Sequence, residues 1–376
     1  MNFRERFTAI MHYKPYDRVP VISLGFWHET LEKWLREGHL KPDDIAGYDY
    51  GNELEGNISR KLGFDDTFLH MIGDKSSCLW QLYPPFEEKT LEIMPNGHQK
   101  KLTEYGVIEI HSPGIQSIHA VEGSMLKDRK SWEELYKPRF IFSEERLKKD
   151  EIRRHLETDE ERDFPLGLYC GSLFGQIRNI LTLEGYCYMM YDDPELFEEI
   201  CFTVTELNYN IVESMLKTGI AFDYAHFWED ICFNHGPLVN PEYYYERIGP
   251  NYKRLTDLVR SHGIDIVSLD CDGKVDTLIP TWLDHGVNTL FPIEVGTWNA
   301  SIKPFREKYG MELLGIGGMK KHVFAEDRKA IDKEVERLRR LVELGGFIPC
   351  PDHHIPPDAE WELVQYYTDR MHEVFE

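Results

Sequence analysis

Short apolar runs alternate along the chain with longer amphipathic, charge-rich segments, the βα rhythm of a parallel sheet. Strands are predicted over 19–24, 166–171, 222–227, 264–269, 289–293, 313–317 and 346–350, and a weaker run at 67–72 brings them to eight. The intervening segments carry helix signals. The segment 193–218 opens on Asp192-Asp193-Pro194-Glu195, 241–262 follows Asn240-Pro241, and 327–344 ends at Gly345-Gly346. Eight strands with helices between them predict an α/β chain folded as a closed (β/α)₈ barrel, one domain over 1–376 with insertions at about 85–163. Within the insertions, Pro95-Asn96-Gly97 and the alternating stretches 106–111 and 116–121 predict an antiparallel hairpin, and 131–162 a charged, solvent-facing helical segment.

Composition narrows the partners. Hydrophobic residues make up 41% of the 376 positions, enough for a sizeable core. Lys and Arg total 43 against 66 Asp and Glu, a net charge of −23 that repels nucleic acid and anionic membrane surfaces. No apolar run approaches the ~18–20 residues that span a bilayer. Arg4, Glu5 and Arg6 stand where a signal peptide would need an apolar stretch. The seven cysteines include no C-x-x-C pair. A soluble, reduced, cytoplasmic protein acting on a small molecule is expected.

Barrels of this type carry their active sites at the C-terminal ends of the strands. The residues just past each run are therefore informative: Trp27-His28 after the first, Asp74 after the second, the segment 171–179 after the third, Trp228-Glu229-Asp230 after the fourth. Asp270-Cys271-Asp272, Glu294, Lys320-Lys321 and Asp352-His353-His354 come after the remaining four. Such a run of titratable and aromatic strand ends predicts an enzyme. Asp270 and Asp272, two apart, point the same way, and two close carboxylates need a cation or a shared proton. With Glu294 and His353 they form a candidate set for a divalent metal such as zinc; the competing reading of Asp270–Gly273 is a capped turn. His353, Asp272, Glu229 and Asp230 are the candidate acid–base groups, with helix capping the alternative for Asp230. Arg178 is a candidate carboxylate clamp, or a partner for one of the many acids. Trp27, His28, Phe174, Asn179 and Trp228, together with Phe227 and Trp298, are expected to line the substrate pocket or to fill the barrel mouth.

Several stretches resemble one family. Arg18-Val19-Pro20-Val21, the Gly171–Asn179 segment Gly-Ser-Leu-Phe-Gly-Gln-Ile-Arg-Asn, Asp192–Glu195, Gly236–Tyr243, Leu269–Gly273 and Pro351–Asp358 are similar to the uroporphyrinogen decarboxylase superfamily, with the likeness strongest beyond residue 165. The resemblance implies a (β/α)₈ barrel and one of two activities, tetrapyrrole decarboxylation or cobalamin-linked methyl transfer. The decarboxylases carry arginines just after the first strand and a tyrosine after the third. Here Ser23–His28 holds no arginine and Gly175–Asn179 no tyrosine, although His353 matches the histidine of their terminal G-H-G-I segment. The methyltransferases bind zinc through a His-x-Cys pair after the fifth strand and a cysteine after the eighth. Asp270, Asp272 and His353 stand at those positions, and Glu294 matches an acidic residue of the same site.

The expectation is a methyltransferase-like enzyme that moves a methyl group from a small methylated compound to a corrinoid acceptor. The corrinoid would be carried on a partner protein, the metal would act as Lewis acid, and the chain would form a homodimer. The alternative is a decarboxylase in which Arg178 holds the acid and Asp272 or His353 supplies the proton.

Overall fold

The predicted βα alternation resolves into eight short strands with longer helices between them. The computed structural model describes residues 1–68, 77–113 and 119–375. The strands are β1 (Ile22–Ser23), β2 (Asp66–Thr67), β3 (Gly167–Tyr169), β4 (Tyr224–Trp228), β5 (Val267–Asp270), β6 (Thr289–Ile293), β7 (Leu314–Met319) and β8 (Phe347–Pro351). β3 to β8 form one parallel sheet in chain order, and β1 pairs in parallel with β2. A parallel bridge between Phe26 and Ile355 joins the segment after β1 to the segment after β8. Ile355 N–H donates to Gly25 O and Trp27 N–H to Ile355 O across it. The Phe68 and Phe291 rings stack with centroids 3.9 Å apart, and Phe68 packs edge-on against His226, so the residue after β2 contacts β6 and β4. The architecture is a (β/α)₈ barrel. The expected extension of the second strand to residue 72 and Asp74 lie outside the described residues.

The helices form where the sequence signals them. Pro194–Leu216 starts with Asp193, whose carboxylate accepts the Leu196 N–H, and with Pro194 in the first turn. It buries Phe197, Ile200, Val204, Leu207 and Ile211, a stripe at helical spacing. Each such side chain adds about 1.5–3 kcal/mol when fully buried. Arg328–Val342 is capped by Asp327 and buries Ile331, Val335 and Leu338. Glu334, on the buried side of this helix, pairs with Arg337 and accepts the Lys320 N–H at 2.7 Å, fixing the end of β7.

The insertions depart from expectation in two ways. Instead of one hairpin there is a four-stranded antiparallel sheet, Lys89–Ile93, Gln99–Leu102, Val107–His111 and Ala120–Ser124; residues 114–118 of the expected run lie outside the described residues. The segment 131–162 is not uniformly solvent-facing, because Trp132, Tyr136, Phe140 and Arg146 are buried. The Arg146 guanidinium donates to Leu79 O and Gln81 O, each at 2.7 Å, and to Ile141 O at 3.0 Å. A buried guanidinium with its donors engaged in this way ties the 79–81 strap to the insertion. Among the described residues no helix is long and apolar enough to cross a membrane.

Candidate active site

The loops after β4, β5 and β8 converge at one end of the barrel. His353 Nε2 lies 3.1 Å from Asp272 Oδ2. His353 Nδ1 accepts the His354 backbone N–H at 2.8 Å, so the neutral ring carries its proton on Nε2 and donates it to Asp272. Trp27 stacks on His353 with ring centroids 5.3 Å apart and planes inclined by 21°. Beside this pair, Arg178 lies 3.3 Å from Asp230 Oδ2 and donates to Asn179 Oδ1 at 2.8 Å. Asp230 adopts a left-handed backbone, φ +50°, uncommon for a residue other than glycine. Burial raises its carboxyl pKa, Arg178 opposes that rise, and Asp272 adds to it.

Other sequence candidates have different jobs. Glu229 is fully buried. It accepts from Ser172 Oγ and from the backbone N–H groups of Leu173, Phe174 and Gly175 at 2.6–3.0 Å, and also from the Tyr252 hydroxyl. It is the anchor of the loop after β3, not a general base, because its lone pairs are committed and it does not reach solvent. Gly175 is required there: a Cβ would lie 1.8 Å from Glu229 O. Phe174 and Phe227 do not line a pocket. Both are fully buried, Phe174 among Tyr186, Phe197 and Tyr244 and Phe227 against Tyr252. His28 packs edge-on against Tyr48 and Tyr50 at the rim.

The expected metal set does not assemble. One Glu294 oxygen accepts the Gly273 N–H at 2.6 Å and the other the Thr297 hydroxyl, and burial raises the Glu294 pKa. Asp270 ends β5, with its carbonyl accepting the Glu229 N–H. Cys271 between the two aspartates is buried, with its Sγ accepting the Ile231 N–H. Asp272 and His353 remain as a pair, and no described carboxylate, imidazole or thiolate completes a trio with ligand atoms within 4.8 Å of one another. As arranged, these residues do not fit a divalent ion, since even an open catalytic site supplies three converging protein ligands.

Several residues at this end are ones the sequence does not single out for a role. Burial lowers the Lys321 pKa, while Asp352, Asp272 and Glu294 hold it up. Asp352 accepts the Val295 and Gly296 N–H groups at 2.8 and 2.6 Å through Oδ2, and its Oδ1 is buried without a hydrogen-bond partner. Tyr50 stacks on His354 at 4.6 Å, and burial pushes the His354 pKa down to about 3, leaving it neutral. Glu55 is fully buried and accepts from the Thr67 and Tyr48 hydroxyls at 2.6 and 2.8 Å. Its sequence signal is an acid on the apolar face that also carries Ile58 and Leu62. Trp80, Gln81, Tyr169, Gln176, Asn179 and Trp228 border a cavity of about 180 Å³ between the barrel and the Arg146-held strap. It adjoins a second cavity of about 320 Å³ that Trp80, Tyr105 and Tyr169 share. A cavity of about 490 Å³ lies elsewhere, between Ala120–Ser124 and Leu183–Asp192, away from the Asp272–His353 pair.

The chain has a (β/α)₈ fold like that of a methyltransferase from Methanosarcina mazei, with a TM-score of 0.60 over 99% of both chains at 14% identity. It is 26% identical over 192 residues to the uroporphyrinogen decarboxylase of Sulfurovum sp. (strain NBC37-1), covering 50% of this chain and 51% of that protein. A stretch of 123 residues, 32% of the chain, is 28% identical to 17% of the ubiquitin-like modifier-activating enzyme ATG7 of Mus musculus. The chain thus spans about half the length, or less, of the curated relatives it matches. The uroporphyrinogen decarboxylase (URO-D) family model matches residues 150–374, well over half of the chain and every strand from β3 to β8. The chain belongs to the uroporphyrinogen decarboxylase family.

Proposed function

We propose that the chain is an enzyme transferring a methyl group from a small cationic N-methylated donor to a corrinoid acceptor carried on a partner protein. The observation that carries this reading is the charge and ring content of the mouth. Among the described residues, Asp230, Asp272, Glu294 and Asp352 face Arg178, Lys321 and the His353 ring, with Trp27, Tyr50 and Trp228 beside them. Carboxylates and aromatic faces together attract a quaternary or tertiary ammonium. The same field opposes a substrate carrying several carboxylates.

The chemistry suits these residues. When a quaternary ammonium gives up its methyl group, the methyl carbon bonds to the acceptor nucleophile. The C–N bond electrons stay on nitrogen, which leaves as a neutral amine. No proton and no Lewis acid is needed at the leaving atom. The protein's part is to hold the donor with its methyl toward the opening and to exclude water around it. Asp272 supplies negative charge against the ammonium and is itself steadied by the His353 Nε2 proton.

A second reading, decarboxylation of a small acid, is favoured by that same Nε2 proton, which could pass to a carbanion. It requires Arg178 as the carboxylate clamp, and Arg178 already faces Asp230 at 3.3 Å. The seven free thiols fit a reducing compartment, and we place the reaction in the cytoplasm.

The test is binding of tetramethylammonium followed by tryptophan fluorescence and calorimetry. The proposal expects saturable binding that weakens as salt is added and is lost in Trp27→Ala. Preferential binding of a di- or tricarboxylate would favour the second reading.

A further inference from the structure

The inserted sheet holds a cluster of ligating side chains that has no part in the barrel mouth. In the antiparallel pairing of Val107–His111 with Ala120–Ser124, Ile110 faces Ala120. His119 therefore stands opposite His111, and Glu109 shares the His111 face, two positions back. His111 Nε2 and Glu109 Oε2 are 2.9 Å apart. The two imidazoles stack at 3.5 Å with planes 23° apart. One ligand atom from each of the three residues lies within 4.8 Å of the other two, and all three residues are half-buried.

We propose that Glu109, His111 and His119 bind a divalent transition-metal ion of the zinc class, at a site separate from the barrel mouth. Two imidazoles and one carboxylate on a rigid sheet, with remaining positions open to water, are a donor set for zinc, cobalt, nickel or iron. His119 Nδ1 is buried without a hydrogen-bond partner, an unfavourable arrangement that a ligand to this ring would relieve. Two rings stacked this closely cannot both be imidazolium, and only neutral imidazole ligates. Burial and the neighbouring His111 lower the His119 pKa; Lys101, opposite Glu109 on the adjacent strand, acts in the same direction, while Glu109 opposes them.

The position gives the ion a task. Glu109 and His111 border a groove of about 440 Å³ that runs to Glu104 and Tyr105, and Tyr105 also borders the cavities beside Trp80 and Tyr169. An ion clamping the Ala120–Ser124 strand to Val107–His111 would stiffen the sheet whose turn between Gln99–Leu102 and Val107–His111 carries Glu104 and Tyr105 to the edge of those cavities. The proposal does not depend on the methyl-transfer reading.

The test uses the full chain without an affinity tag, stripped of metal and titrated with Co²⁺ by visible absorption and calorimetry. One equivalent should bind. His111→Ala and His119→Ala should each weaken binding by at least about 100-fold, the upper end of the cost of losing even an outer-shell partner. Asp272→Asn should bind like wild type. Glu109→Gln, a nearly isosteric change, decides the matter if a histidine variant fails to fold, and should also weaken binding. Absence of Co²⁺ uptake at submillimolar metal, uptake unchanged by Glu109→Gln and the histidine variants, or uptake abolished by Asp272→Asn would overturn the proposal.

Discussion

Asp272 and His353 are separated by 81 positions in the chain, yet the His353 Nε2 proton is donated to Asp272 Oδ2 across 3.1 Å. The backbone N–H of His354 fixes that tautomer by occupying Nδ1. The pair therefore behaves as a stabilised carboxylate more than as a free imidazole. Asp272→Asn removes the charge and keeps the shape. For a cationic donor, KM should rise roughly 10- to 150-fold, the equivalent of about 1.5–3 kcal/mol for a hydrogen-bonded charge, with kcat within a few-fold of wild type. Steady-state kinetics separate this from proton donation, where kcat itself should fall by roughly 10²–10⁴.

Arg178 gives a prediction of opposite sign in the two readings. It neutralises Asp230, so Arg178→Ala should lower KM for a cationic donor by about 2- to 5-fold, the range for a partly exposed ion pair. The gain should shrink on acidification. Burial already raises the Asp230 carboxyl, and without Arg178 it becomes protonated at a higher pH still. A carboxylate clamp would instead lose activity in this variant at every pH.

Glu229 should prove structural. Replacing it with Ala leaves the Leu173, Phe174 and Gly175 N–H groups and two hydroxyls buried without their acceptor. The expected loss is on the order of 3–5 kcal/mol in denaturant unfolding. A Glu229→Ala variant of unchanged stability and abolished activity would restore the catalytic role.

These residues mark how far the sequence is legible. The barrel was readable because buried parallel strands are short apolar runs, and β6 matches its expected bounds, 289–293. Asp272 and His353 stood out as polar residues at strand ends, where this architecture collects its chemistry. Glu229 stood out for the same reason and misled, because a strand-end acid that turns inward to gather backbone N–H groups looks identical in one dimension. Phe174 failed likewise, since an aromatic ring fits a mouth or a core equally well. Asp270, Asp272, Glu294 and His353 resemble a metal set in one dimension, where the Gly273 N–H and Thr297 hydroxyl that occupy the two Glu294 oxygens do not show. The strap carrying Trp80 was invisible because its anchor, Arg146, is a charged residue buried by carbonyl contacts that only the tertiary fold supplies.

Glu55 yields a pH prediction. Burial pushes its carboxyl up from 4.5 to about 7, although Thr67 and Tyr48 hydrogen bonds oppose the rise. The folded-state pKa is above the unfolded one, so this group's contribution to stability is fully present below about 4.5 and is lost as pH climbs through about 7. Glu55→Gln stays neutral throughout. Relative to wild type it should gain on the order of 3 kcal/mol between pH 4.5 and pH 8 in denaturant titrations. A pH-independent difference would mean that Glu55 ionises normally.

The central claim is that the acidic, aromatic mouth selects a cationic methyl donor. Stopped-flow mixing of the enzyme and cob(I)alamin with donors of matched size and different charge measures this directly, through the rate at which methylcobalamin forms. The account predicts rapid methylation from quaternary ammonium donors, slower methylation from neutral methyl ethers, and none from methylated carboxylates. Equal rates across the series, or methylation only from the anionic donors, would contradict it.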